Sequence, residues 1–263
     1  MKYYYREHVE GYRRVAREGK RAWGEIHGDD EAFEAFASRP FLDMAVERLR
    51  FGSPRPRALE YGCGTGPGAC YLAELGFRVD AIDLIPAAID IARRIAAECG
   101  LHVDFAASDV CELPADGPCY DLIVDSYCLQ GIVLADDRSR LFAAVHARLR
   151  PTGYYLVSSA VFDPARYRQD RVVVDDVSGR TYHAYGDDLF AADGAIVYTR
   201  LGAHRGGYED AIRIREDWWL PNRCHRTPTA LGLELQAAGF VVLYGEGGHF
   251  VCAHDDADAS DMW

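Results

Sequence analysis

From about Arg57 to Ser159 short apolar runs alternate with amphipathic stretches. This rhythm predicts βαβ units and a parallel sheet covered by helices on both faces. The runs place strands over 58–61, 79–83, 103–106, 121–125 and 154–158. Between them, 67–75 and 86–98 carry a proline where a first helical turn tolerates one, and Gly76 and Gly100 stand where helices are capped. A third helix, over 137–149, follows the acidic pair Asp136 and Asp137 and stops before Pro151. The first fifty residues read as helical, with apolar Val9, Tyr12 and Ala16 and then Phe33, Phe36, Phe41, Leu42, Val46 and Leu49, until Ser53-Pro54-Arg55-Pro56 breaks the chain. After Ser159 the period shortens. Strands over 172–174, 181–185, 196–198 and 211–215, with a turn at 176–179, predict a small antiparallel β insertion. Thr227-Pro228 then opens a helix to Ala238, and 240–244 and 249–253 flank a Gly-Glu-Gly-Gly turn as a hairpin.

At 263 residues, 49% apolar and 27% charged, the chain is sized for one domain, or one domain with an insertion. No window reaches the roughly 18 apolar residues of a membrane span, and the N-terminus is charged where a secretory signal is apolar. The expectation is a soluble, untargeted, cytoplasmic protein. The net charge of −12 opposes binding to nucleic acid or an anionic membrane. Eight scattered cysteines without a CxxC pair read as reduced thiols. Cys224-His225 and Cys252-x-His254 lack zinc-ligand spacing, so no metal site is expected.

The chemistry concentrates in Glu60-Tyr61-Gly62-Cys63-Gly64-Thr65-Gly66, which leaves a strand and enters a helix. Glycines there admit positive φ and close backbone approach, and the helix start offers free N–H groups, so the loop fits a nucleotide-like cofactor. A dinucleotide fingerprint would need its third glycine at the position of Pro67. Glu60 also favours a cationic ligand over a phosphate. An acidic residue followed by GxGxG resembles the first motif of the class I S-adenosylmethionine-dependent methyltransferases. The resemblance covers about 57–159 well and the last helix and hairpin more loosely. It implies a Rossmann-like α/β methyltransferase sandwich: a mostly parallel seven-stranded sheet with a C-terminal antiparallel hairpin, plus the N-terminal helices and the β insertion. Gly62, Gly64 and Gly66, with Cys63 between them, match the glycines that admit the methionine part of the cofactor, and Glu60 matches the acidic residue. Asp83 matches the carboxylate that holds the ribose, with Leu84 and Ile85 near the adenine, and Asp109 and Val110 match the pair that receives it. Asp125 and Ser126 fall where the fourth motif passes the methyl end. Singly, each strand-end acid could equally cap a helix; four at consecutive strand ends point to S-adenosyl-L-methionine, with S-adenosyl-L-homocysteine as product.

A methyl on a sulfonium is already activated, so the protein mainly aligns donor and acceptor. Asp125-Ser126-Tyr127-Cys128 lacks the Asn/Asp-Pro-Pro-aromatic stretch of amino-directed relatives, which leaves O-, aliphatic N-, S- or C-methylation of a small molecule, with a biosynthetic role suggested by the insertion. An NAD-dependent oxidoreductase and a non-catalytic cofactor-binding protein are the competing classes. For the substrate side, Tyr3, Tyr4, Tyr5, Tyr12 and Trp23 form either a lid or ordinary helix packing. Tyr127, Trp218, Arg223 and Arg226 are candidate substrate contacts, and His225 and His249 candidate bases, against the alternative of an aromatic corner and packed histidines. The expected segments are 1–52 as a helical lid, 53–159 as the cofactor core, 160–224 as the insertion, 225–254 completing the sheet, and 255–263 as an acidic tail.

Overall fold

A computed structural model describes residues 3–26, 33–114, 116–162, 172–191 and 196–255. The chain runs through α1 (Tyr3–Arg17), α2 (Arg39–Arg48), β1 (Arg57–Tyr61), α3 (Pro67–Glu74), β2 (Arg78–Asp83), α4 (Pro86–Glu98) and β3 (Val103–Ala107). It continues as β4 (Tyr120–Ser126), α5 (Ala135–Arg148) and β5 (Leu149–Ser158). β1 and β4 read as nearly unbroken apolar runs because both their faces are covered, and residues 58–61 and 122–125 are all buried. The main sheet has the order β12-β13-β5-β4-β1-β2-β3, where β12 (Phe240–Glu246) and β13 (His249–His254) form the C-terminal hairpin. β1 to β5 pair in parallel, and β13 alone runs against both its neighbours, β5 and β12. The order turns back between β1 and β4. Their carboxyl ends therefore open the crevice in which sheets of this type take ligands.

The second sheet has the order β10-β11-β9-β8-β7-β6, all antiparallel: β6 (Val172–Val174), β7 (Thr181–Tyr185), β8 (Asp188–Ala191), β9 (Ile196–Gly202), β10 (Ile212–Ile214) and β11 (Asp217–Cys224). It has its own core of Val173, Tyr182, Leu189, Tyr198, Ile214 and Trp219. Two of its strands differ from expectation. β8 is too short to show a period, and β11 replaces the anticipated aromatic corner. Pro221 is accommodated in β11 beside a register shift between Pro221 and Arg223, where irregular pairing tolerates a missing donor. α5 begins two residues earlier than predicted, so Asp136 and Asp137 lie in its first turn, where acids favour the helix dipole. Residues 256–263 of the expected acidic tail lie outside the described residues.

One buried cation fastens the loop after β4 to the helices around it. Arg138, on α5, is 3% exposed. Its Nη1 donates to the carbonyls of Leu129 and Ile132, both at 2.9 Å, while Nε and Nη2 donate to Glu234 at 2.8 and 2.6 Å. Glu234 lies on α6 (Pro228–Ala237), so α5, α6 and the loop share one guanidinium. Removing one partner of a buried pair strands the other, at about 3–5 kcal/mol. Arg138→Ala is expected to lower the free energy of unfolding by that amount, read by urea denaturation, while the exposed Arg94→Ala changes it little.

Candidate active site

The crevice starts where β1 ends. Gly62 and Gly64 adopt φ of +61° and +56°, in the left-handed region that favours glycine. A Cβ on Gly62 would lie 2.2 Å from Cys128 Sγ, and one on Gly64 2.7 Å from the Tyr12 hydroxyl. The loop is therefore pinned between the turn after β4 and the N-terminal helix. Gly66 stands behind it as the N-cap of α3, against Phe105 and Ala92. Gly68 escaped sequence reasoning: a Cβ there would meet Glu60 Oε1 at 2.3 Å, so glycine in the first turn of α3 leaves room for that carboxylate.

The strand-end acids have different surroundings. Asp83 Oδ2 accepts from the Gly64 N–H at 2.9 Å and its Oδ1 from the Ile85 N–H at 2.8 Å, which fixes the carboxylate between the glycine loop and its own turn. Burial pushes its pKa up, and those two donors hold it back. Asp109 Oδ1 accepts from the Cys111 N–H at 2.9 Å and caps a short turn. Glu60 is 1% exposed and its Oε2 has no hydrogen-bond partner. Burial pushes its carboxyl up to about 8, against hydrogen bonds from Ser126 and the Ala69 backbone. Asp125 is different from the other three. Its Oδ1 accepts from the N–H groups of Cys128 and Leu129 at 2.8 and 3.1 Å, so it shapes the turn carrying Tyr127 and is not among the residues lining the cavity.

A cavity of about 520 Å³ runs along these groups. Asp83, Leu84, Ile85, Asp109 and Val110 line one end, with Ser108; Glu60, Gly62, Cys63 and Gly64 form its floor. Beyond β4 it is lined by Ser126, Tyr127, Gln130, Ala160 and Arg223, and the N-terminal segment adds His8, Tyr12, Trp23 and Phe36, with Tyr12 over Gly64 and His8 near Gly131. Tyr127 has φ +64°, a strained conformation for an aromatic residue, held by its N–H donating to the Ser158 carbonyl at 2.8 Å. Ser38 donates to Ser126 Oγ at 3.1 Å, joining α2 to the end of β4.

Several expected substrate-side residues stand elsewhere. Trp218 lies under the Arg205 guanidinium, 5.5 Å from it, and not at the cavity. Arg226 pairs with Glu234 at 3.1 Å. His225 lies 6.3 Å from the Phe190 ring, and burial pushes its imidazole down to about 4. His249 stacks on Phe41 at 4.7 Å and meets Ser158 Oγ through Nδ1 at 3.1 Å, behind Tyr127. Arg223 does reach the cavity, its Nη1 donating to the Asn222 carbonyl and Oδ1 at 2.9 and 2.6 Å. Tyr12 and Trp23 also reach it, while the side chains of Tyr3, Tyr4 and Tyr5 lie outside the described ones. The histidine that lines the cavity is His8, one helical turn before Tyr12 on α1.

These residues fit a cationic nucleoside. The unpartnered Glu60 oxygen suits a positive group, the cradle at Gly62 and Gly64 has no room for a side chain, and Asp83 presents a fixed acceptor.

Residues 58–153 match the family model described as Methyltransferase domain. A ubiquinone biosynthesis O-methyltransferase of Xylella fastidiosa (strain M23) is 29% identical over 211 residues, covering 78% of this chain and 81% of that protein. A second protein so named, from Methylocella silvestris, is 34% identical over 120 residues, 44% of this chain and 45% of its own length. Among solved structures, an S-adenosylmethionine-dependent methyltransferase from Clostridium acetobutylicum superposes with a TM-score of 0.55 at 16% identity, over 87% of this chain and 94% of that one. The amino pentose methyltransferase CalS10 from Micromonospora echinaspora gives 0.56 at 19%, over 88% and 95%. At such identities the solved structures share the fold. Residues 58–153, the segment that matches the methyltransferase-domain model, build β1 to β4 and the crevice between them, so the chain carries a methyltransferase domain on the fold of the S-adenosylmethionine-dependent methyltransferases.

Proposed function

We propose that the protein methylates a hydroxyl oxygen of a small, partly planar molecule. The observation that carries this reading is a single cavity lined by the acids and glycine loop, by Tyr127, Gln130 and Arg223 beyond β4, and by His8, Tyr12, Trp23 and Phe36 from the N-terminal segment. S-adenosylmethionine, when bound, supplies a methyl on a sulfonium, activated for in-line displacement. The chain's own groups do the holding. Glu60 and the loop at Gly62–Gly64 take the methionine part, Asp83 the ribose, and Asp109 and Val110 the adenine, while Ser126 stands near the methyl end. The aromatic side chains stack on the acceptor and exclude water, Gln130 and Arg223 orient its polar groups, and His8 takes its proton. An oxygen acceptor is supported by two relatives named O-methyltransferases.

Labelled methyl transfer across phenols, carboxylates, amines and thiols tests the reading. Transfer to phenols is expected; transfer to amines or thiols alone, with the cofactor bound, overturns the acceptor. The cytoplasm is the compartment we assign, supported by eight cysteines none of which forms a disulfide, and the described helices include none long and apolar enough to cross a membrane. The charge of −12 supports a partner other than nucleic acid.

Glu60 gives this reading a proton signature. With its carboxyl pushed up to about 8 by burial, Glu60 is protonated at neutral pH in the unliganded protein. A cationic group beside it favours the ionised form, so binding releases a proton. The affinity for S-adenosylmethionine is expected to rise with pH, by up to about tenfold per unit below the Glu60 pKa, and to flatten above it. Calorimetry in buffers of different ionisation enthalpy measures the released proton directly. Glu60→Gln should remove the slope; a wild-type affinity independent of pH excludes Glu60 as the group facing the cation.

A further inference from the structure

At the edge of the main sheet opposite the crevice, three potential metal ligands converge. β13 runs against β5, so His249 sits beside Ser158 at the crevice end while Ala253 pairs with Tyr154 near the start of β5. His254 and Asp255 follow at that remote end, where α5 brings His146 in its last turn. His146 Nε2 and His254 Nδ1 each lie 2.9 Å from Asp255 Oδ1, and their rings are 4.1 Å apart. One ligand atom from each residue falls within 4.8 Å of the others.

We propose that His146, His254 and Asp255 form a binding site for a divalent transition-metal ion, zinc above all, that clasps the end of β13 onto α5. Two imidazoles and a carboxylate are a donor set for a borderline-soft cation, with water completing a tetrahedral shell. Zinc bonds of about 2.0–2.2 Å at tetrahedral angles put ligand atoms about 3.3–3.5 Å apart. The two 2.9 Å separations to Asp255 need to open by a few tenths of an ångström, and the ligand atoms of the two imidazoles lie within 4.8 Å of one another. Asp255 is 53% exposed and has the freedom to move, whereas the imidazoles of His254 and His146, 10% and 27% exposed, are held by the fold. His146 packs on the Phe240 ring at 5.5 Å. Gly239, at φ +92°, leaves the approach open, since a Cβ there would lie 3.3 Å from His146 Nε2 and 3.8 Å from Asp255 Oδ2. The cysteine–histidine pairs at 224–225 and 252–254 contribute only His254. Cys252 is fully buried, and neither Cys224 nor His225 belongs to the group within ligand reach among the described residues.

The geometry makes this a structural clasp and sets it apart from methyl transfer. The test is calorimetric titration of chelator-treated full-length protein with zinc sulfate, alongside cobalt(II) absorbance and thermal denaturation. One zinc per chain with micromolar or tighter affinity is expected, with the visible band of four-coordinate cobalt and a higher melting temperature. His146→Gln and Asp255→Asn should each weaken zinc by about tenfold or more, the scale on which loss of a supporting group disturbs a metal site. Affinity for S-adenosylmethionine should be the same with and without zinc. That separates failure of the clasp from failure of the proposed function. The proposal is overturned if zinc does not bind, or if it binds with an affinity that both substitutions leave unchanged. It is equally overturned if zinc binds without raising the melting temperature, since the ion would then be adventitious. Asp255→Asn serves as the control against misfolding, because an exposed side chain in a terminal turn can be exchanged without disturbing the core.

Discussion

Asp83→Ala reduces the affinity for S-adenosylmethionine by at least about a hundredfold, because two strong contacts and one local support vanish together. An ionised carboxylate offers four lone pairs. The Gly64 and Ile85 N–H groups take two of them, at 2.9 and 2.8 Å, and the side chain lines the cavity. Hydrogen bonds to a charged acceptor contribute about 1.5–3 kcal/mol each, so losing a pair to adjacent ribose hydroxyls costs about 3–6 kcal/mol. The same substitution leaves the Gly64 N–H without its acceptor and loosens the glycine loop. Asp83→Asn keeps one oxygen and should lose about tenfold, close to 1.4 kcal/mol. Calorimetry with both S-adenosylmethionine and S-adenosylhomocysteine checks the assignment, because both carry the same ribose. Equal losses place Asp83 at the ribose. A loss confined to the sulfonium compound places it elsewhere and removes the basis of the cofactor's orientation.

The part of this site legible in the sequence is the part built by backbone. The stretch Glu60 to Gly66 specifies a turn, a set of positive φ values and a helix start within seven residues, and Asp83 and Asp109 act on donors no more than nineteen residues away. Apolar runs likewise give β1 and β4, because both their faces are covered. What composition cannot specify is the partner of a long side chain. Arg226 and Trp218 have the chemistry of substrate contacts, but Glu234 claims the one and Arg205 stacks over the other. Asp125 has the position of a cofactor ligand, but its Oδ1 is spent on the turn that carries Tyr127 and the residue does not line the cavity. His225 and His249 are absorbed by packing. Conversely, His8 joins the site only because α1 folds over a loop more than fifty residues further along the chain, a relation without a local signature.

His8→Gln is expected to lower kcat by about a hundredfold with a phenolic acceptor, the low end of the range for a general base, while leaving S-adenosylmethionine binding unchanged. The other titratable groups along the cavity are poor bases. Burial pushes Cys63, Cys128 and Tyr12 up, so all three keep their protons near neutrality. In the proposed reading Glu60, Asp83 and Asp109 face the cofactor. His8 remains, with its ring 5.2 Å from that of Trp23, which lies 4.9 Å from Tyr12, whose hydroxyl in turn covers Gly64. A Cβ on Gly131 would lie 4.0 Å from His8 Cε1, which puts the imidazole on the loop after β4, at the acceptor end. S-adenosylmethionine, when bound, would supply the methyl, and as the acceptor oxygen takes it the hydroxyl proton would pass to an imidazole nitrogen of His8. An imidazole already protonated cannot accept it, so the wild-type rate should fall toward acid pH and the His8→Gln rate should not follow that limb. A more acidic phenol should recover part of the lost rate in the variant, because it needs less help in losing its proton. If kcat and the acid limb survive the substitution while cofactor affinity drops, His8 is instead part of the cover over the glycine loop, and the acceptor reaches the methyl already ionised.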